Sequence, residues 1–136
     1  MAKTYLGVIV IMTVIGIIAF YQYSNLDNKE PKIEITPSFY DFGDIPYKLV
    51  EHTFSVKNTG KITLEITRIS TSCGCTKGTI DKETINPGET ANLLVTIDPN
   101  LMEEDIEGKI ERIVYIKSND PTQPEVEIQL TANIKK

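Results

Sequence analysis

The sequence predicts an all-β protein: an immunoglobulin-like β-sandwich of about seven strands, preceded by one N-terminal transmembrane helix. Three observations predict it. From residue 33 onward, apolar and polar residues alternate in short runs, the period of half-buried strands. Gly, Pro, Asn and Asp punctuate those runs, as turns require. Ahead of them, Thr4 to Leu26 carries no charged residue.

The first element is the apolar stretch YLGVIVIMTVIGIIAFYQY. A helix of about 20 such residues spans the ~30 Å hydrocarbon core of a bilayer, and Tyr21 and Tyr23 would then lie at headgroup depth. A cleaved signal peptide is the rival. Leu6 to Ala19 is about as long as an apolar signal region can be, but cleavage prefers two small residues before the cut, and IIA ending at Ala19 supplies one. No cysteine follows the run, which excludes a lipoprotein signal. Residues 1–26 are therefore an expected membrane anchor or signal segment, and 27–32 (DNKEPK) a polar linker broken by Pro31. Lys3 and the amino terminus balance Lys29 and Lys32 across the apolar run. A long following domain translocates regardless of its charges. The sandwich, residues 33–136, is thus expected outside the cytoplasm, on the periplasmic or extracellular face of the inner membrane.

Residues 27–136 hold 13 of the 14 basic residues and all 19 acidic ones, a net charge of −6. With no basic stripe, nucleic acid is not an expected partner.

The strand runs follow in order: KIEI, HTFSVKN, ITLEITRIS (with Ile62, Leu64, Ile66 and Ile69 among polar residues), TANLLVTID, IERIVYIKS and EVEIQLTANI. NTGK at 58–61 offers Gly60 for a positive φ, and NPGE at 86–89 suits a type II turn. PNLMEEDIEG at 99–108 is the longest break, and SNDPTQP at 118–124 the last. The chain has no Trp, and its two cysteines are too close in sequence to bridge distant strands. The core is expected to hold by packing alone, from Phe39, Phe42, Phe54, Val56, Ile66, Val95, Val114, Ile116, Ile128 and Leu130.

Five segments resemble a known pattern: Tyr40-Asp41-Phe42-Gly43, a strand and turn ending in N-T-G, S-C-G-C-T at 72–76, P-G-E, and S-N-D-P. Together, over residues 39–134, they are similar to the bacterial family catalogued as domain of unknown function 1573. The resemblance implies an immunoglobulin-like sandwich, similar to chaperone-like and ciliary domains, in an exported and often membrane-anchored protein. It supplies no reaction. Members often carry a Pro- or Trp-containing segment after C-G-C-T, where this chain has KGTIDKETI.

The candidate site is Cys73 and Cys75, with Gly74 and Thr76 as supporting positions. In an extended strand the two Cα atoms would lie ~6.6 Å apart on one face, slightly far for a disulfide, which prefers ~5.5–6 Å. Gly74 would let the backbone pinch, and a strained bond is easily reduced. Three readings stay open: structural thiols or an inert local disulfide, a redox pair, and a soft-metal site holding Cu(I). Zinc would need further ligands, and His52 is the only histidine. His52 is expected as an ordinary surface or strand-end residue; a general base would need a nucleophile beside it. Glu103, Glu104, Asp105 and Glu107 lack the spacing of a calcium loop and are expected as a solvated loop. Asp41 and Asp44 are assigned to turns. No catalytic or cofactor-binding motif is evident.

These features lead to two functional expectations. The first is a non-catalytic, membrane-tethered sandwich that binds another envelope protein or peptide through a sheet edge. The second is a thiol-dependent protein, redox or copper-handling, centred on Cys73 and Cys75.

Overall fold

Alternation sorts each strand's side chains onto two faces, and in this chain the apolar faces meet as two sheets. A computed structural model describes residues 2–24, 29–102 and 106–135. It contains helix α1 (Ala2–Ser24), nine strands and one 3-10 turn, Pro99–Leu101. The strands are β1 (Ile33–Thr36), β2 (Phe39–Pro46), β3 (Val50–Asn58), β4 (Leu64–Thr71), β5 (Thr76–Ile80), β6 (Thr84–Ile85), β7 (Thr90–Ile97), β8 (Gly108–Ser118) and β9 (Glu125–Lys135). One sheet has the order β1-β3-β7-β5 and the other β2-β9-β8-β4-β6. Pairings are antiparallel except β2 with β9, which is parallel.

The protein is therefore mostly β, with two sheets as a sandwich requires. Three strands lie beyond the period-two runs, each for a physical reason. In β2 the alternation breaks at a bulge: Asp41 pairs with Thr131 and Asp44 with Asn133, so two residues of β2 face one of β9. Gly43 takes φ +65° there, a conformation that favours glycine. The bulge turns Ile45 into the core after Tyr40 and Phe42. Asp41 and Asp44 thus belong to a strand rather than to turns. β5 is too polar, and β6 too short, to show a pattern.

The core runs between the sheets. Phe54, Leu64, Leu93, Val95, Val114, Ile116 and Ile128 are fully buried, and Leu130 is 1% exposed. Each such side chain contributes ~1.5–3 kcal/mol of burial. One expected core residue is corrected: Phe39 is 51% exposed because it lies on the outer face of β2. The strand run expected from Ile62 begins two residues later, at Leu64, and Ile62 is 42% exposed. Phe42 is half-buried against the core.

His52 is also relocated. It lies within β3, half-buried, with its ring stacked on Tyr40 at 3.5 Å and 18° and flanked by Phe54 at 4.8 Å. A strand of each sheet thus joins one aromatic cluster.

Two buried polar side chains fasten one end of the sandwich. Asn58 donates from Nδ2 to the carbonyls of Ile62 (2.8 Å) and Ile85 (2.9 Å), and its Oδ1 accepts from Gly60 N (2.9 Å) and Lys32 N (3.3 Å). Residues 30–32, the end of the expected linker, cross Gly60: Thr59 N donates to Lys32 O and Lys61 N to Glu30 O, each at 2.9 Å. A Cβ on Gly60 would overlap the Glu30 and Lys32 backbone. Gly60 is thus needed for close approach and does not use positive φ. The type II turn at 86–89 is present, with Gly88 at φ +80° and Glu89 N donating to Asn86 O at 2.9 Å.

Asp120, 2% exposed, accepts from Ile33 N (2.9 Å), Thr122 N (2.8 Å) and Gln123 N (3.0 Å). Burial pushes its carboxyl up, but the amides of Ile33, Gln123 and Thr122, aided by the charge of Lys32, hold it below the ordinary value of 3.8.

In α1, every described side chain, 7–21, is exposed. Among the described residues, no helix is long and apolar enough to cross a membrane.

Two predictions follow from the polar fastenings. A carboxylate with a lower pKa folded than unfolded stabilises the fold above its unfolded value, and that contribution is lost as pH falls through the folded value. Asp120→Asn places an amide NH2 opposite a backbone donor, so stability at pH 7 should fall by about 2 kcal/mol. The deficit should shrink below pH ~4, as checked by urea unfolding at pH 7 and 3. Gly60→Ala should destabilise by ~2 kcal/mol or more because backbone must move, measured by the same titration.

Candidate functional site

The S-C-G-C-T segment leaves β4 and enters β5 through a turn. Ser72 prolongs β4 onto β8: its N–H donates to Ile113 O at 2.9 Å, and its Oγ accepts from Ile113 N at 3.0 Å. Thr71 Oγ1 lies 2.9 Å from Cys73 O and 2.8 Å from Thr76 O and donates across the turn. Thr76 N donates to Cys73 O at 3.3 Å, and Asp98 N to Cys75 O at 2.8 Å.

Cys73 and Cys75 form a disulfide with their Cα atoms 5.3 Å apart. The turn supplies this separation, so the pinched strand expected from the spacing is not present. Gly74 is exposed, has ordinary φ, and would accept a Cβ without contact. Thr76 does support the pair: it is 4% exposed, with Oγ1 3.6 Å from Cys73 Sγ and 3.7 Å from Cys75 Sγ. The sulfurs differ in surroundings. Cys75 is 4% exposed, whereas Cys73 is half-buried and opens to solvent. Cys75 N donates to Cys73 Sγ at 3.1 Å.

Sequence reasoning missed Arg112. On β8 the residues Ile110, Val114 and Ile116 point into the core, and Arg112 occupies the same row. Its Nε donates to Cys75 Sγ at 3.3 Å and its Nη1 to Glu111 O at 2.7 Å. The signal was available: one cation interrupts an otherwise apolar alternation. A charge at an inward-facing position carries a desolvation cost, which its half-exposure at the rim reduces.

A cleft of about 470 Å³ opens over the disulfide, lined by Cys73, Gly74, Cys75, Arg112, Leu101, Met102 and Ile106. A second cleft of about 520 Å³ shares Ser72 and Arg112 and runs along the outer sheet face past Phe39, Asp41, Lys109 and Ile113. The Gly43 amide, with further help from Thr131, lowers the exposed Asp41 carboxyl below its ordinary value. Among the described residues, no three or more His, Cys, Asp or Glu side chains gather as a metal site. In the bonded form the cysteines have no thiolate to offer Cu(I). Glu103, Glu104 and Asp105 of the expected acidic loop lie outside the described residues; Glu107 is exposed.

The site makes two predictions. A disulfide closing so short a loop restricts the unfolded chain little, so Cys73→Ser with Cys75→Ser should cost only about 1.5 kcal/mol and leave the sheet spectrum by circular dichroism unchanged. Gly74→Ala should change the unfolding midpoint by less than about 0.5 kcal/mol equivalent.

Among solved structures, a protein of unknown function from Porphyromonas gingivalis W83 is similar, with TM-score 0.72 and 21% identity over 82% of this chain. The chain spans 50% of that protein's length. The seventh PapD-like domain of human CEP192 matches with TM-score 0.61 and 11% identity, over 79% of this chain and 88% of that one. The periplasmic chaperone SfaE matches with TM-score 0.52 and 15% identity, over 77% and 58%. These likenesses are of fold alone. Among curated proteins, no sequence matches. The model of the family described as Protein of unknown function (DUF1573) matches residues 33–134, three-quarters of a sequence whose fold and motif geometry are those above, and the chain belongs to that family.

Proposed function

We propose that this protein is an exported, membrane-tethered, non-catalytic sandwich that holds an extended segment of another envelope protein. Fold alone carries no function, so the reading rests on one observation: two free sheet edges open onto one cleft. Among the described residues, β5 ends its sheet and pairs only with β7. Among them too, past Ile66, which bonds to Glu83 O, β4 pairs only with β8. Cys75 and Asp81 bond toward β7, so by alternation the amides of Gly78 and Ile80 point away from it. Between the two edges lies a cleft of about 270 Å³ lined by Ile66, Arg68, Ile69, Gly78 and Ile80. An incoming strand would gain main-chain hydrogen bonds along β5 and place alternate side chains in that cleft.

The tether is supported by the charge-free stretch and by the exposure of every described side chain of α1. Thr13, the one polar side chain between Gly7 and Phe20, bonds within the helix to Val10 O at 2.8 Å, as an apolar solvent demands. The second reading, thiol–disulfide exchange, is favoured by the Arg112 contact to Cys75 Sγ.

The test is a photo-crosslinking residue at the exposed Thr79 of β5, with Glu127 of β9 as control, in the native membrane. A discrete adduct from Thr79 and none from Glu127 is expected; equal yields, or none from Thr79, overturn the reading. The full chain should sediment with membranes and a chain starting at residue 29 should not.

A further inference from the structure

The two sulfurs of the rim disulfide are not equivalent. Both cysteines line the cleft, but Cys73 is half-buried, beside an exposed Gly74 that carries no side chain. Cys75 is 4% exposed and lies against Arg112, whose Nε is 3.3 Å from its sulfur. We propose that the disulfide oxidises thiolates from solution in a fixed order: Cys73 is the sulfur attacked, Cys75 is the leaving group, and Arg112 receives the departing thiolate. This rests on the thiol-exchange reading and adds the direction of the reaction and the substrate class.

The step balances without an outside oxidant. A substrate thiolate attacks Cys73 Sγ. Its sulfur bonds to Cys73, the Cys73–Cys75 bond breaks, and the electron pair stays on Cys75 Sγ as a thiolate. A second substrate thiolate then attacks the substrate sulfur of the mixed disulfide. The substrate disulfide forms and Cys73 leaves as a thiolate. Two thiolates lose two electrons, and the protein disulfide gains them.

Access and charge select the same order. Exchange needs an approach to the attacked sulfur, and it runs faster when the leaving sulfur is the better-stabilised anion. Cys75 has a guanidinium donor, and a charge-assisted hydrogen bond to an anion is stronger than a neutral one. Cys73 has only neutral partners, the amide of Cys75 and the hydroxyl of Thr76. The turn is held by Thr71, Ser72 and Asp98 through bonds that do not involve sulfur, so Cys75 stays beside Arg112 once the disulfide opens.

The experiment treats the oxidised full-length chain in detergent with glutathione, quenches in acid, labels free thiols with N-ethylmaleimide, and locates both groups by tandem mass spectrometry. Glutathione is expected on Cys73 and maleimide on Cys75, in at least about tenfold excess over the reverse. Arg112→Met should slow opening about tenfold, and Arg112→Lys should recover part of the rate, with circular dichroism unchanged in both. Glutathione chiefly on Cys75 overturns the order while exchange itself survives. A disulfide that stays closed in the folded chain overturns the exchange reading as well. Arg112→Met reacting at the wild-type rate overturns the part given to Arg112.

Discussion

Apolar contact between the two sheets is the interaction on which everything else depends. Phe54, Leu93 and Val95 from one sheet meet Val114, Ile116, Ile128 and Leu130 from the other, each 0–1% exposed. No covalent link joins the layers, because both cysteines are bonded to each other within one turn. This separates the sulfur chemistry from the fold. Many small extracellular domains use a disulfide as a staple; here the packed core does that work.

The polar motifs divide in the same way. N-T-G places Asn58 where its amide joins residue 32, the 60–62 turn and β6, and places Gly60 where the entering backbone crosses. P-G-E supplies the turn that Asn58 braces: Asn58 N donates to Glu89 O and Gly88 N to Asn58 O. S-N-D-P supplies Asp120, which anchors β1. The Tyr40–Gly43 segment supplies the bulge that turns Ile45 inward. Asn58 and Asp120 satisfy backbone groups that would otherwise be costly to bury. S-C-G-C-T does so only in part. Its serine and threonine complete the turn, but the two sulfurs satisfy no buried backbone group, apart from the contact with the Cys75 amide.

The sandwich was legible because its long strands keep period two over a buried face. β3, β7, β8 and β9 were read almost to their ends, and eight of the ten expected core residues are fully or nearly buried. What escaped has local causes. A bulge breaks the alternation of β2, and two residues are too few to give β6 a pattern. Phe39 misled because apolar character does not reveal which face a residue occupies when the register is unknown. His52 looked like a surface histidine because its stacking partner, Tyr40, comes from a strand the pattern had hidden. The cysteines were found, but as a pinched strand rather than a turn. Arg112 escapes because the period-two pattern of β8 is carried by its apolar residues, and the one cation in that row is what reaches the Cys75 sulfur.

The strand register also separates the entry point from the disulfide. Lys57 pairs with Thr90 at one end of β3 and β7, and Val50 pairs with Ile97 at the other. The chain enters at the first end, where residues 30–32 cross Gly60. The disulfide turn lies at the second, where Asp98 holds Cys75. Eight residues of extended chain separate Asn58 from Val50, about 26 Å. The segment that enters at residue 30 therefore meets the sandwich far from Cys73. The cleft of Leu101, Met102 and Ile106 lies on the disulfide side of that separation. The edge of β5 runs back from this end and opens only past Thr76, whose N–H and C=O are bonded to Cys73 and Thr71. A strand added along β5 would therefore lie against Gly78 and Ile80, in a cleft separate from the one that holds the disulfide.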